Sequence, residues 1–513
     1  MRHTPFFGYL AVTAMLTLTL GLCEWATAEM VSGGDTPGSD ADTLASMRAE
    51  VAELRQANQS LRQAVGQLQS DMGETWLNER RAEEVKTLVR EVLADADTRA
   101  SLLEGGMTAG HNGKNFFLAS EDGSFLLKIK GQIQFRYVAN WRDEPATAGN
   151  SIDNSETGFV VRRAKIQFSG HISSPKLTYA LQLSVNRDDN SAIADKIVIG
   201  YAFNENWSIW FGEDKAPFLR EELTSSSKQL AVERSYVNEV FTVDKAQGVA
   251  LTYKSERIRV TAMINDGMRS GDGSSSVNPF TQLDDFDAQN DPDGGGPLTG
   301  DRSTSKDFYE DATDFALTAR VDILVTGGWH QMADFTAWDG EEMAVFVGAA
   351  IHWEEGESGD RFNNNDFFMW TFDGSVEYQR FNLFLAVMGM HTDVTGLNAA
   401  GTGPAKSYDM LGFVVQAGYQ IPFRGEVIEP FIRYEWVDFE DAIISSGTNV
   451  DDEIAIITFG FNWYFNKHAA KFTADVMYAL DPVPLSSSGL GLLSDVRDQD
   501  EQLVLRGQFQ LLF

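Results

Sequence analysis

Cysteine is all but missing: Cys23 is the single one in 513 residues. It sits in an N-terminal stretch, 1–28, with an early Arg2, an apolar run from Tyr9 to Leu22 and the small-x-small triplet Ala26, Thr27, Ala28. A positive start, an apolar core and a small-residue site together read as a secretory signal. The uncharged run is short of the ~20 residues that span a membrane comfortably, which argues against a helical anchor. Leu20, Gly21, Leu22 and Cys23 hint at a lipid-attachment site, but Leu22 is bulky where a small residue is expected. Cys23 is expected to leave with the signal, so no disulfide or redox chemistry can be read from the remainder.

Long apolar runs are the second absence. None elsewhere approaches helix-spanning length, which excludes a helical membrane protein. Bases are outnumbered, 41 Lys and Arg against 75 Asp and Glu, for a net charge of −34. Nucleic acid needs a basic surface and is not an expected partner. The seven His are scattered with no pair at metal spacing. No P-loop, GxSxG or Cys/His pair is present. Residues 287–294, DAQNDPDG, look at first like a calcium loop. Their first ligand position falls on Gln289 and their twelfth on Gly300, so the EF-hand reading fails. No metal site, cofactor or catalytic residue is assigned, and an enzyme is not expected.

What is present falls into three regions after the signal. Residues 29–40 form a linker rich in Gly, Ser and Asp. Residues 41–110 are expected to be helical. Leu44, Met47, Val51, Leu54, Asn58, Leu61, Val65, Leu68 and Met72 recur in steps of three and four, with one polar residue, Asn58, at an a position. This narrow stripe favours a coiled coil over a single helix packed on a globular core.

From residue 111 to 513 the period becomes two. The last strand, 501–513, reads EQLVLRGQFQLLF. Leu503, Leu505, Phe509, Leu511 and Phe513 share one face; Gln502, Arg506, Gln508 and Gln510 share the other. Lipid on one side and water on the other impose such alternation, although an edge strand of a soluble sandwich also shows it. We count sixteen candidate strands, joined alternately by short and long polar connections. One connection breaks the rule: the segment after Ile323 should be a short turn yet runs to about Glu341. Sorting of loops by parity has no reason in a sandwich and marks a membrane barrel with an even strand number. The fold expected is therefore all-β: a transmembrane antiparallel β-barrel of about 16 strands, preceded by an α-helical coiled-coil segment.

Alternation also assigns the wall. Charge at the lipid midplane costs about 2–4 kcal/mol, so charged positions turn to water. Lys128, Lys130, Arg136, Arg163 and Lys165 are expected inside, with Ile133, Phe135, Ile166 and Phe168 outside. Arg259, Arg320, Arg433, Arg506, Asp322, Asp373, Glu377 and Glu435 are further lumen candidates.

Residues 158–171, GFVVRRAKIQFSGH, followed by ADKIVIGYAFNENWSIWFGEDKAPF and SSSKQLAVERSYVNEVF within 194–241, resemble the phosphate-selective porin O and P family. The likeness runs from about Gly123 to Phe513, and Arg162 and Arg163 match the family's paired arginines. The resemblance implies a sixteen-stranded outer-membrane barrel, a homotrimer, and a third long loop folded into the lumen. Here that loop is 215–246, with Arg220, Lys228 and Arg234 as added pore-lining candidates. It carries five bases and five acids between Lys215 and Lys245, unlike the basic constriction of phosphate-selective members. The expected function is a porin, passing small hydrophilic solutes or ions with a mild anion preference. The alternative is a structural anchor whose coiled coil reaches through the periplasm toward the cell wall. Outer-membrane lipid is the expected surrounding.

Overall fold

The computed structural model describes residues 106–112, 115–142, 155–185, 192–267, 315–355, 365–394, 408–439, 453–483, 487, 489–493 and 501–513. The expected signal, linker and heptad segment lie outside these residues, as does the stretch 287–294; at the end of the expected helical region, Met107–His111 is instead a β-strand, paired with the next segment.

A leading hairpin, β1 (Met107–His111) and β2 (Phe116–Ser120), precedes the wall. The wall begins with β3 (Leu126–Arg142), β4 (Ser155–Ile172), β5 (Ser174–Val185), β6 (Ala192–Ala202), β7 (Trp207–Lys215), β8 (Lys245–Lys254) and β9 (Ile258–Asn265). It continues with β10 (Phe315–Thr326), β11 (Ala344–Glu355), β12 (Asn365–Tyr378), β13 (Phe381–Val394), β14 (Tyr408–Tyr419) and β15 (Ile421–Phe423). It ends with β16 (Glu426–Asp438), β17 (Glu453–Asn466), β18 (Ala470–Ala479) and β19 (Gln502–Leu512). Every pairing is antiparallel between chain neighbours, and β19 closes on β3 from Gln502↔Arg142 to Leu512↔Gln132.

β14 and β15 pair successive stretches of β16 and act as one wall strand. Their ladder lapses opposite Pro430, which has no N–H to offer. The barrel thus has 16 strands, and each expected strand coincides with an observed one to within a few residues. The hairpin β1–β2 is additional. It pairs with the start of β3, Phe116↔Ile129 to Ala119↔Leu126, beyond the point where β19 ends.

The wall is inverted relative to a soluble protein. Ile199, Phe211, Phe372, Phe459 and Phe509 are exposed, while Arg136, Arg433 and Arg506 are fully buried. Lipid covers the first set, so strand alternation sends the polar half of each strand inward. Trp141, Trp207 and Trp353 are exposed on the outer surface, as residues of interfacial belts are. All six helix-free ends at one rim are short, such as Ser173, Gln379–Arg380 and Arg424–Gly425, where the left-handed backbone of Ser173, Gln379, Arg380 and Arg424 makes the tight reversals. The seventh connection at that rim, 327–343, is the long one that the sequence marks as an exception, and it folds inward.

The inward loop and the lumen wall

The connection between β7 and β8 turns into the barrel, as the third-loop position implies. It holds α1 (Arg220–Leu223), a 3-10 turn at Ser226–Lys228 and α2 (Tyr236–Phe241). Ser235 caps α2, its hydroxyl accepting from the Asn238 N–H at 2.9 Å, and donates to Glu221 at 2.5 Å. Loop residues Phe218, Leu230, Val232, Val237 and Phe241 are at most 1% exposed. An aqueous loop with so many large apolar side chains gains by leaving water, and the barrel offers it a surface.

That surface has two characters. On one side the inward residues are apolar: Met369 on β12, Phe384, Met388 and Met390 on β13, and Met410 and Val414 on β14. These form one cluster with Leu230, Val237, Val240 and Phe241 of the loop. Gly412 leaves room for the Phe241 ring; a Cβ there would lie 2.6 Å from it.

On the other side the wall is polar, and it binds the loop's backbone. Arg320 donates to the Phe218 carbonyl at 2.8 Å, Gln510 to Ser227 at 2.9 Å and Lys471 to Gln229 at 2.8 Å. Asn462 donates to Leu230 at 2.7 Å and Arg433 to Glu233 at 2.9 Å. Asp475 accepts from the Val232 N–H at 2.9 Å. A buried loop carries backbone groups that water can no longer reach, and these side chains pair them.

At the centre lies Glu233. Arg163 meets its carboxylate at 2.7 Å, Arg136 at 2.9 Å and Arg162 at 3.0 Å. Burial alone would raise the Glu233 carboxyl; the three guanidiniums outweigh it and hold it well below the usual carboxylate range. Glu222 is held low against burial in the same way, by Arg234 and Lys215. Adjacent residues of a strand normally face opposite sides. A bulge between Gln134 and Phe135 shifts the register, pairing Gln134 with Arg163 and Phe135 with Val161, so Arg162 is extra and also turns to Glu233.

The expected site residues therefore separate into two groups. Arg136, Arg163, Arg220 and Arg234 are buried. The first two engage Glu233, and Arg234 meets Glu222 at 3.1 Å. Arg220 lies 5.6 Å from the Phe335 and Phe346 ring centres. Lys228 is half-buried, 3.9 Å from Asp334. Lys128 and Lys165 are half-buried and Lys130 is exposed. Cross-strand register aligns Lys130 with Gln167, Gln167 with Gln182 and Gln182 with Lys196. The next row aligns Gln132, Lys165 and Ser184. The result is a basic, amide-rich strip on the inner face of β3 to β6. Lys196 on β6, paired with Asp214, belongs to it as well.

Arg259, Arg320, Arg433 and Arg506 all point inward and pair with acids. Arg506 meets Asp475 at 2.7 Å, Arg433 meets Glu435 at 3.1 Å, and Arg320 meets Asp322 at 2.7 Å and Asp373 at 2.8 Å.

An uncharacterized protein of Aquifex aeolicus (strain VF5) is 23% identical over 334 residues, 62% of this chain and 70% of that protein. The anion-selective porin from Comamonas acidovorans superposes with a TM-score of 0.45 at 10% identity, covering 75% of this chain and 99% of that one. The outer membrane channel DcaP of Acinetobacter baumannii gives 0.43 at 11% identity, covering 77% and 99%. The family model for phosphate-selective porin O and P matches residues 132–480. With most of the wall inside that match, the chain belongs to the phosphate-selective porin O and P family and is an outer-membrane porin.

Proposed function

We propose that small hydrophilic solutes diffuse along the strip of Lys128, Lys130, Lys165 and Lys196, with a mild preference for anions. The observation that carries this reading is the difference in burial within the basic set: the lysines keep contact with solvent, whereas Arg136 and Arg163 are enclosed around Glu233. A solute meets accessible charge, not charge sealed under a loop. Fixed bases along a narrow aqueous path raise the local anion concentration. Asp214 beside Lys196 and the acids of the loop weaken the field, which keeps the preference mild. Phosphate is not singled out, because the arginines that would bind it are engaged by protein carboxylates.

The chain acts as a channel and not as a hydrolase, and it assembles as a homotrimer in outer-membrane lipid, as the family resemblance implies. Both ends of the barrel face the periplasm and its eight long connections face outward. A cysteine introduced at Ser275 should be labelled in intact cells, and one at Asn466 should not; the reverse pattern refutes this orientation. The heptads from Leu44 to Met72 favour a second role as a tether, with the helical segment reaching toward the cell wall. A reversal potential across a KCl gradient tests the main reading. A small anion-selective potential supports it, and a cation-selective one contradicts it.

A further inference from the structure

The last long connection, between β18 and β19, also returns to the lumen wall. Val483, Leu490 and Leu492 are fully buried and join the apolar cluster that seats the inward loop. Ser487 closes a tight turn: its carbonyl accepts from the Gly491 N–H at 2.8 Å and from the Leu492 N–H at 3.1 Å. Gly491 has φ +81°, and a Cβ there would lie 2.6 Å from Val138. A larger residue has neither the backbone freedom nor the room at that position.

The turn aims three successive carbonyls at the wall. Gly489 accepts from Arg136 at 2.6 Å, Leu490 from Arg506 at 3.0 Å and Gly491 from Asn140 at 2.8 Å. The Leu493 N–H then donates to Gln502 at 3.2 Å. Gly489 also lies against Arg162: a Cβ there would lie 2.8 Å from its Nη2. Arg136 ties the turn to the inward loop, because its Nη2 donates to the Val232 carbonyl at 3.2 Å.

Charge at this corner does not balance. Arg136, Arg162 and Arg163 share Glu233, and Arg506 takes Asp475, so four guanidiniums meet two carboxylates. The excess of positive charge is met by carbonyl dipoles, those of Gly489 and Leu490 on one side and of Val232 on the other. Dipoles stabilise a buried charge without cancelling it.

We propose that the turn formed by Ser487 and 489–493 determines selectivity: its carbonyls take Arg136, Arg162 and Arg506 out of the conduction path and so keep the anion preference mild. The proposal rests on the porin reading. With the turn displaced, the same arginines face water from the long-loop side. Their uncompensated charge then raises the local anion concentration. The turn acts on sign, not on size.

The test is the reversal potential of the full chain in planar bilayers across a KCl gradient. One variant deletes 489–492. A second, L490S/L492S, keeps the chain length and removes the apolar anchors of the turn. Heat-modifiable migration on gels identifies folded barrels, and only these are compared. The chloride-to-potassium permeability ratio is expected to rise by about twofold or more in both. The rise should shrink in concentrated salt, because the screening length falls from about 10 Å at 0.1 M to about 3 Å at 1 M. Adding R136Q/R162Q should abolish the rise: Arg163 then keeps Glu233, Arg506 keeps Asp475, and no excess charge remains. Folded, conducting variants with an unchanged or lower ratio overturn the proposal and leave the porin reading intact, as does a rise that survives R136Q/R162Q. A chain that never conducts, with or without these changes, overturns the porin reading and the proposal with it.

Discussion

The two sides of the lumen wall hold the same loop by different physics. Strands β12 to β14 present Met369, Phe384, Met388, Met390 and Met410 to it, and the contact is apolar burial. Strands β3, β4 and β16 to β19 present Arg136, Arg163, Arg433, Lys471 and Gln510, and the contact is pairing of its carbonyls and of Glu233. The apolar side tolerates sliding, because dispersion has little direction. The polar side fixes position, because each hydrogen bond has a set length and angle. Together they explain how a loop without long helices keeps one place inside a barrel. They also show why arginines on a pore wall are a poor guide to selectivity: the most buried ones serve the loop.

Four changes break or sharpen this contrast, in falling order of effect. Glu233→Ala leaves three guanidiniums without their shared carboxylate. Removing one partner of a buried ion pair costs about 3–5 kcal/mol, so the loop should leave its seat. Conductance then rises and the loop becomes cleavable by added protease. A variant with unchanged conductance and protease resistance shows that the cluster does not anchor the loop. On the apolar side, Phe241→Ala removes the ring seated on Gly412 and costs about 3 kcal/mol. Hydrogen exchange in α2 should accelerate while exchange near Glu233 changes less. Equal acceleration at both places would show that the two sides are not separate anchors.

Acid acts more weakly. The Glu233 carboxyl is held low in the folded protein, so its contribution is complete above the ordinary carboxylate pKa of about 4.3. It is lost only as pH falls through the lower, folded value. Conductance should therefore be flat from neutral pH down to about pH 5, and noisier openings should begin below about pH 4. A transition near pH 6 would show that a group other than Glu233 controls the loop. The smallest effect is expected from Lys196→Gln, which removes one partly screened charge. The reversal potential should move by a few millivolts toward cations; a move toward anions would place Lys196 outside the path.

Much of this architecture is legible in the sequence because a membrane wall enforces period two. Leu503, Leu505, Phe509 and Leu511 alternate with Gln502, Arg506, Gln508 and Gln510, and the two sets do face lipid and lumen. Sixteen strands follow from the same pattern with the lengths of the connections, whereas the inward fold of the third long loop is what the family resemblance implies. The site is less legible. Arg162 is one residue from Arg163, and alternation alone sends it outward; the bulge that returns it depends on partner register. The partners of Glu233 lie about 70 and 97 residues away in the chain, a pairing no local pattern announces. The apolar side left a trace in LFLAVMGM, which is apolar on both faces of β13 and so differs from the alternating strands. The inward fold of 327–343 left another, in its length and its aromatics.

The central claim is that accessible lysines, not enclosed arginines, set the charge of the path. The most direct measurement is the reversal potential in a KCl gradient for K128Q/K130Q/K165Q beside R163Q/E233Q. The second variant removes one base and one acid from the buried cluster and leaves the net charge unchanged. A shift toward cation selectivity in the lysine variant, with the buried pair leaving the sign of selectivity as it was, is the predicted result. An unchanged potential in the lysine variant, or a reversal caused by the buried pair, would contradict it.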